Sequence, residues 1–414
     1  MEKISLNNEI STVVKVNSNT PRVALSLYFR VNTPEKKPGI NTLLNRLFMQ
    51  GTKNRTSEEL AQELEENAIE LYSEMKQDFL RFKLLCLNED FSLGLEILED
   101  IIENSHFETF DKEVEKLKGE LIAELDSPKT KALDNYYKNL YKNHFYGNTF
   151  TTILEAIDSI TKEDIIETYK DIISTSKKNI CVVGDVNLED TKNLLNKHLG
   201  NIENNPAIPQ DLEKPQVTEN RIVTIEKEDA NQAQIIQGWI FPSMHSEDYP
   251  AISLLNTILG SSGLSSRLFL ELREKQGLAY TVRSSYETYK LAASFSVYIA
   301  SEPKNIETCL KGFKKEIDKI VSERISDEEL EDAKNNIIGK RQFFTETNIL
   351  QSSLIGLYES EGLGYDYETK LIEKIKSVTP EKIQEIAKKY FSNPYVLSVL
   401  APKQYLSTLE NVVL

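Results

Sequence analysis

The sequence predicts an α+β protein made of two homologous α/β-sandwich domains, each a mixed, mainly antiparallel sheet with helices on one face. Three observations carry this. A polar stretch with several prolines divides the 414 residues into near-equal halves, each of single-domain size. Strand-like and helix-like patterns follow one another in the same order in both halves. Two pairs of segments also match at almost the same spacing. Leu43-Leu44-Asn45 recurs as Leu254-Leu255-Asn256, 211 residues on, and Thr161 in AIDSITKEDIIETYKDI falls against Thr379 in KIKSVTPEKIQEIAKKY, 218 residues on. The expected boundaries are an N-terminal domain over 1–204, a linker over 205–219 and a C-terminal domain over 220–414. Pro206, Pro209 and Pro215 stand among polar residues in that linker, which has neither helical nor strand periodicity.

In the first half, Val23–Val31 alternates as a strand with one buried face. A polar loop and the helix of PGINTLLNRLFMQG follow. IELYSEMKQ and FLRFKLLCL read as strands, and LGLEILEDIIEN and EVEKLKGELIAEL as helices. Thr161 and Asp164 have the spacing of a capping box at the next helix, which leads into the strand NICVVGDV. The second half repeats the series. QAQIIQGWIF is a strand, YPAISLLNTILG a helix, AYTVRSSYETY and LAASFSVYIA strands, and IETCLKGFKKEIDKIV and DEELEDAKNNIIG helices. Thr379 followed by Pro380 starts the last of the matched helices, and YVLSVLAP closes the series as a strand.

The charge narrows the function. With 49 Lys+Arg against 65 Asp+Glu the net charge is −16, which disfavours nucleic acid and anionic membrane surfaces as partners. No window approaches the 18 apolar residues of a membrane span, and MEKISLNNEISTVVKV has no apolar core of signal-peptide length, so the expected location is the cytoplasm. Cys86, Cys181 and Cys309 lie far apart in apolar runs and are expected as buried free thiols in a reducing compartment.

Chemical motifs are sparse. His106, His144, His198 and His245 are too widely spaced to share a helix face, and the chain has no HExxH, HxxEH, GxSxG, GxxxxGK or GxGxxG pattern. The histidines are expected to be isolated at the surface or satisfied in the interior. Gly260-Ser-Ser-Gly263 reads as a flexible turn after a helix.

Two segments carry a family likeness. GINTLLNRLFMQGTKNRTSEEL (Gly39–Leu60) resembles the zinc-helix region of the insulinase/pitrilysin-like metallopeptidases, the group that includes the mitochondrial processing peptidase. Matching on Gly39 and Gly51-Thr52 places Thr42 where the family's HxxEH motif has its first histidine, Asn45 on the glutamate and Arg46 on the second histidine. Thr42 offers only a neutral hydroxyl, Asn45 cannot act as a general base, and Arg46 repels a dication. The third family ligand, a glutamate, matches either Glu120 or Glu124. No metal is expected in this chain.

SSGLSSRLFLELREKQGLAYTVRSSYE (Ser261–Glu287) is similar to the family's C-terminal domain, in which an Arg and a Tyr seven residues apart contact the peptide. Here they are Arg273 and Tyr280. The resemblance also takes in HFYG at His144–Gly147, the NICVVGDV strand and the linker position. It implies two domains facing each other, clam-like, around an acidic cavity, with peptides bound by strand addition. It further implies a non-catalytic, substrate-binding subunit of a heterodimeric zinc metalloendopeptidase, whose zinc belongs to a homologous HxxEH-bearing partner. The alternative is a purely structural or peptide-binding relative, either a scaffold subunit or a zinc-less homodimer.

Overall fold

Alternating residues set the strands, and their order repeats. The computed structural model describes residues 1–31, 33–208, 211–407 and 409. The first sheet contains β1 (Glu2–Ser5), β2 (Ser11–Val16), β3 (Arg22–Arg30), β4 (Glu70–Met75), β5 (Phe79–Leu87) and β6 (Lys177–Gly184), in the order β1-β2-β6-β3-β5-β4. Only β2 and β6 run parallel. The second contains β7 (Arg221–Glu226), β8 (Ala233–Phe241), β9 (Ala279–Thr288), β10 (Ala293–Ser301) and β11 (Tyr395–Ala401), in the order β7-β11-β8-β10-β9. There too a single pair, β7 with β11, runs parallel. Equating β2, β6, β3, β5 and β4 with β7, β11, β8, β10 and β9 gives the same order and the same strand senses. The α+β class with two homologous sheets therefore stands, and β1 is an addition to the first copy.

The chain forms two compact units that are not contiguous in sequence. One comprises Met1–Glu120, Ile153–Asp211 and Gln342–Glu368, and the other Leu121–Thr152, Leu212–Arg341 and Thr369–Leu414. The change at Asp211 falls inside the expected linker, whose described residues have no regular secondary structure; Pro209 lies outside the described residues. The continuous halves over 1–204 and 220–414 differ from these units because each half gives one segment to the other sheet. The helix Pro128–Leu140 packs on β8 and β11, and the helix Asn348–Ser360 on β3 and β6.

This exchange corrects the expectation that β3 has one buried face. From Val23 to Phe29 every residue of the strand is buried. Phe29 meets Phe82 on one side, whereas Ser26 and Tyr28 on the other reach the helix Asn348–Ser360, with Tyr28 Oη donating to the Ser353 carbonyl at 2.7 Å. The second helix interlocks in the same manner. Tyr136 Oη lies 2.9 Å from Ser294 Oγ, and Ser398 Oγ donates to the Ala132 carbonyl at 3.1 Å.

A glycine admits each tyrosine. A Cβ on Gly238 would stand 1.9 Å from Tyr136 Oη, and one on Gly356 would stand 2.6 Å from Tyr28 Cε2. Gly238→Ala is expected to destabilise the chain by about 1–3 kcal/mol through overpacking of a buried tyrosine, with the larger effect when Tyr136 is kept than in a Tyr136→Phe background. Urea denaturation of the four variants checks this.

One charge cluster gives a pH dependence. Burial alone would raise the Glu74 carboxyl, but the Arg81 guanidinium bonded to it, with Lys83 and Lys76 nearby, holds it at about 2. Its folded value lies below the unfolded one, so its contribution is complete above about pH 4.5 and is lost as pH falls towards 2. Glu74→Gln is expected to flatten that part of the stability–pH curve, measured by urea midpoints across the acid range.

Candidate functional site

The helix Ile40–Leu47 buries Ile40, Leu43, Leu44 and Leu47, the i, i+3, i+4, i+7 stripe of an amphipathic helix. Gly39 starts it at φ 98°, where a Cβ would lie 2.7 Å from Ile153 Cγ2. With the apolar stripe so fixed, Thr42, Asn45 and Arg46 fall together on the half-buried polar side.

Arg46 does not stand idle there. Its Nε donates to Glu113 Oε2 at 3.0 Å, while Nη1 and Nη2 donate to the two oxygens of Glu120 at 2.7 and 2.8 Å. Glu113 and Glu120 are seven residues apart on the helix Phe110–Asp126, so both project from one face. Glu113 is only 2% exposed and also receives Lys116 Nζ at 2.7 Å. The Glu120 hydrogen bonds raise the affinity of Arg46 for its proton and lower that of Glu120. Of the two glutamates weighed for the third ligand position, Glu120 is the one bound to Arg46. Sequence spacing does not single out Glu113, because it does not show which helix packs beside Arg46.

Asn45 is tied to β4 by its backbone: Ser73 Oγ donates to the Asn45 carbonyl at 3.1 Å, and the side-chain Oδ1 is buried without a partner. Its counterpart is better satisfied. Ser284, 211 residues after Ser73, lies 2.7 Å from Asn256 Oδ1 and 3.0 Å from the Asn256 carbonyl. Among the described residues no three His, Cys, Asp or Glu side chains are grouped to hold a metal ion. A hydroxyl, a neutral amide and a paired guanidinium do not fit zinc, which needs imidazole, thiolate or carboxylate donors. The purified chain is expected to carry no stoichiometric zinc, checked by elemental analysis after dialysis.

The loop after this helix is held by Asp100, which no motif in the sequence marks out. Asp100, 5% exposed, accepts from Thr52 Oγ1 at 2.6 Å, Asn54 Nδ2 at 2.5 Å, Arg55 Nη1 at 2.8 Å and Asn104 Nδ2 at 2.9 Å. Burial would raise its carboxyl, but these donors hold it below the usual carboxylate range. Arg55 also reaches Glu63 and Glu96, and a capping box of Thr56 and Glu59 starts the helix Ser57–Glu66.

In the other unit, Arg273 lies on a π-helical turn, Phe269–Lys275, and Tyr280 near the start of the edge strand β9. Arg273 Nη1 donates to the Tyr280 carbonyl. The guanidinium is stacked by two rings, with its Cζ 4.7 Å from the Phe269 centroid and 4.6 Å from that of Tyr280. Tyr280 is 80% exposed. The structure therefore brings the pair into contact, with Arg273 bracing Tyr280 and the phenol in solvent. Gly260 is not in the flexible turn expected of it. It lies in the π-helical turn Thr257–Ser261, where a Cβ would meet Ser284 N at 2.2 Å.

The remaining candidates are dispersed. His198 is buried against Glu99 at 2.8 Å, His144 sits among the aromatic rings of Phe145 and Tyr146, and His245 lines a cavity of about 510 Å³ with Lys214, Tyr390 and Asn393. Cys86, Cys181 and Cys309 are free and buried. No helix among the described residues is long and apolar enough to cross a membrane.

Residues 12–153 match the family model described as Insulinase (Peptidase family M16), and residues 159–337 match the Peptidase M16 inactive domain. An uncharacterised zinc protease of Mycobacterium leprae is 24% identical over 90% of this chain and 84% of its own length. A second, of Bacillus subtilis, is 22% identical over 97% of this chain and 98% of its own. Among solved structures, a peptidase M16 inactive domain from Pseudomonas fluorescens superposes with a TM-score of 0.88 at 20% identity, covering 97% of this chain and 98% of that one. A protease from Helicobacter pylori gives 0.89 at 21%, with 97% and 99% covered, so the fold is shared from end to end. This chain belongs to the insulinase-type metallopeptidase family M16.

Proposed function

We propose that the chain is the non-catalytic, substrate-binding subunit of a heterodimeric zinc metalloendopeptidase, supplying Arg273 and Tyr280 to the active site of a homologous HxxEH-bearing chain. The observation that carries the reading is an asymmetry between its two sites. The zinc-helix position is closed by Arg46 bonded to Glu113 and Glu120, whereas Tyr280 stays 80% exposed on its arginine brace. A tyrosine held at an edge strand can donate to a peptide oxyanion beside a metal that another chain provides. Peptides are the substrates, bound by addition to a sheet edge. The three buried free thiols are in keeping with a cytoplasmic setting.

Co-expression with the candidate partner tests the assembly. The expected result is a stable complex of one chain of each kind on sizing, with zinc in the partner only and no peptide cleavage by this chain alone. Recovery of this chain as a monomer or homodimer in the presence of the partner rejects the reading.

One observation favours the alternative of a purely structural or peptide-binding relative: the Arg273 guanidinium is already engaged by the Tyr280 backbone. On that reading Arg273→Ala lowers stability and leaves peptide turnover in the complex unchanged.

A further inference from the structure

The helix Phe110–Asp126 presents Glu113 and Glu120 to the helix Ile40–Leu47 two turns apart on one face. Glu113 is only 2% exposed and needs a cation beside it, whereas the Glu120 side chain, 58% exposed, extends the anionic face towards solvent. Lys116 is hydrogen-bonded to Glu113 alone, although its charge also favours the ionised Glu120, so only Arg46 is bonded to both carboxylates. One edge of its guanidinium meets Glu120 in a two-point fork, and Nε takes Glu113. The residues around the fork do not suit zinc, since Thr42 offers a hydroxyl and Asn45 an amide where zinc takes imidazole, thiolate or carboxylate.

We propose that Arg46 is a built-in cation that replaces an ion as the tie between these two helices, so that its truncation leaves an anionic site shaped for a small planar guanidinium. This site does not depend on the pairing proposed above, and it stands if no partner chain is found. It accounts for a metal-independent helix pair: the tethered charge is always present, cannot be chelated, and joins both glutamates of one helix to the other.

Chemical rescue of the full chain tests the proposal. Arg46→Ala is expected to lower the melting temperature by about 2–4 °C for each kcal/mol lost, and millimolar methylguanidinium is expected to restore part of that loss saturably, because a ligand that binds only the folded state stabilises it. The wild type is expected to show no such rise, nor is Arg46→Ala combined with Glu113→Gln and Glu120→Gln. A chelator is expected to leave the wild-type melting temperature unchanged. An unaltered melting temperature in Arg46→Ala, no response to methylguanidinium, or an equal response in the triple variant would overturn the proposal. If Arg46→Ala is recovered unfolded, Arg46→Lys decides. Its ammonium cannot make the two-point fork, so an intermediate melting temperature supports the proposal and a wild-type value contradicts it.

Discussion

Tyr280→Phe is expected to lower kcat of the reconstituted two-chain peptidase by about 10²–10³, with a smaller change in KM. The substitution removes one hydroxyl and keeps the ring, so the stack on Arg273 at 4.6 Å survives. With Tyr280 80% exposed, the folded chain loses almost no packing, and a large kinetic effect cannot be assigned to unfolding. Arg273→Ala acts differently. It removes both the hydrogen bond to the Tyr280 carbonyl and the cation between two rings, so the start of β9 loses its brace. The expected result is lower kcat together with weaker peptide binding, because a misplaced tyrosine harms ground and transition states alike. Arg273→Lys keeps the charge but not the planar stack, and is expected to fall between. Steady-state kinetics on complexes verified intact by sizing check all three.

Asp100→Ala is expected to cost about 3–5 kcal/mol, the largest stability effect of any single change considered. Four donors converge on this carboxylate, and three of them, from Thr52, Asn54 and Arg55, belong to the loop that ends the degenerate zinc helix. Truncation leaves the Thr52 hydroxyl, 3% exposed, without its acceptor, and leaves Arg55 with Glu63 and Glu96 alone. Asp100→Asn keeps the shape and some acceptors, so it is expected to cost less than half as much. Urea unfolding of the full chain, followed by circular dichroism and by hydrogen exchange in Gly51–Glu66, separates the global loss from local opening of the loop.

Local chemistry made much of the fold legible. The Thr161–Asp164 capping box and the Thr379 cap with Pro380 in the first turn are both present, because a cap depends on neighbours within a few residues. The strand over FLRFKLLCL matches β5, Phe79–Leu87, because strict alternation there reflects one buried and one half-buried face. The 211-residue repeat extends beyond the matched helices to Ser73 and Ser284, each bonded to the corresponding asparagine.

What escaped the sequence is what depends on distant segments. The buried stretch Val23–Phe29 needs the helix Asn348–Ser360, more than 300 residues away, and no periodicity within β3 announces it. The same holds for Gly238, whose missing side chain has a reason only once Tyr136 is in place. At the zinc-helix position the loss of HxxEH was visible, but the acceptance of Arg46 by Glu113 and Glu120 was not, since spacing does not reveal which helix packs alongside. The Arg273–Tyr280 spacing was legible while its geometry was not. A π-helical turn and the left-handed Gly277, φ 62°, carry the chain from one residue to the other, and they turn the guanidinium onto the tyrosine's own backbone.

The central claim is that this chain completes the active site of another. The most direct test is a titration: a fixed amount of the zinc-bearing HxxEH partner receives increasing amounts of this chain, and peptide cleavage is followed at saturating substrate. The expected result is a rate that is negligible for either chain alone, rises with added chain and levels off at one to one, with Tyr280→Phe reaching a plateau about 10²–10³ lower at the same stoichiometry. A partner that cleaves at its full rate alone, and whose rate this chain leaves unchanged, would contradict the account.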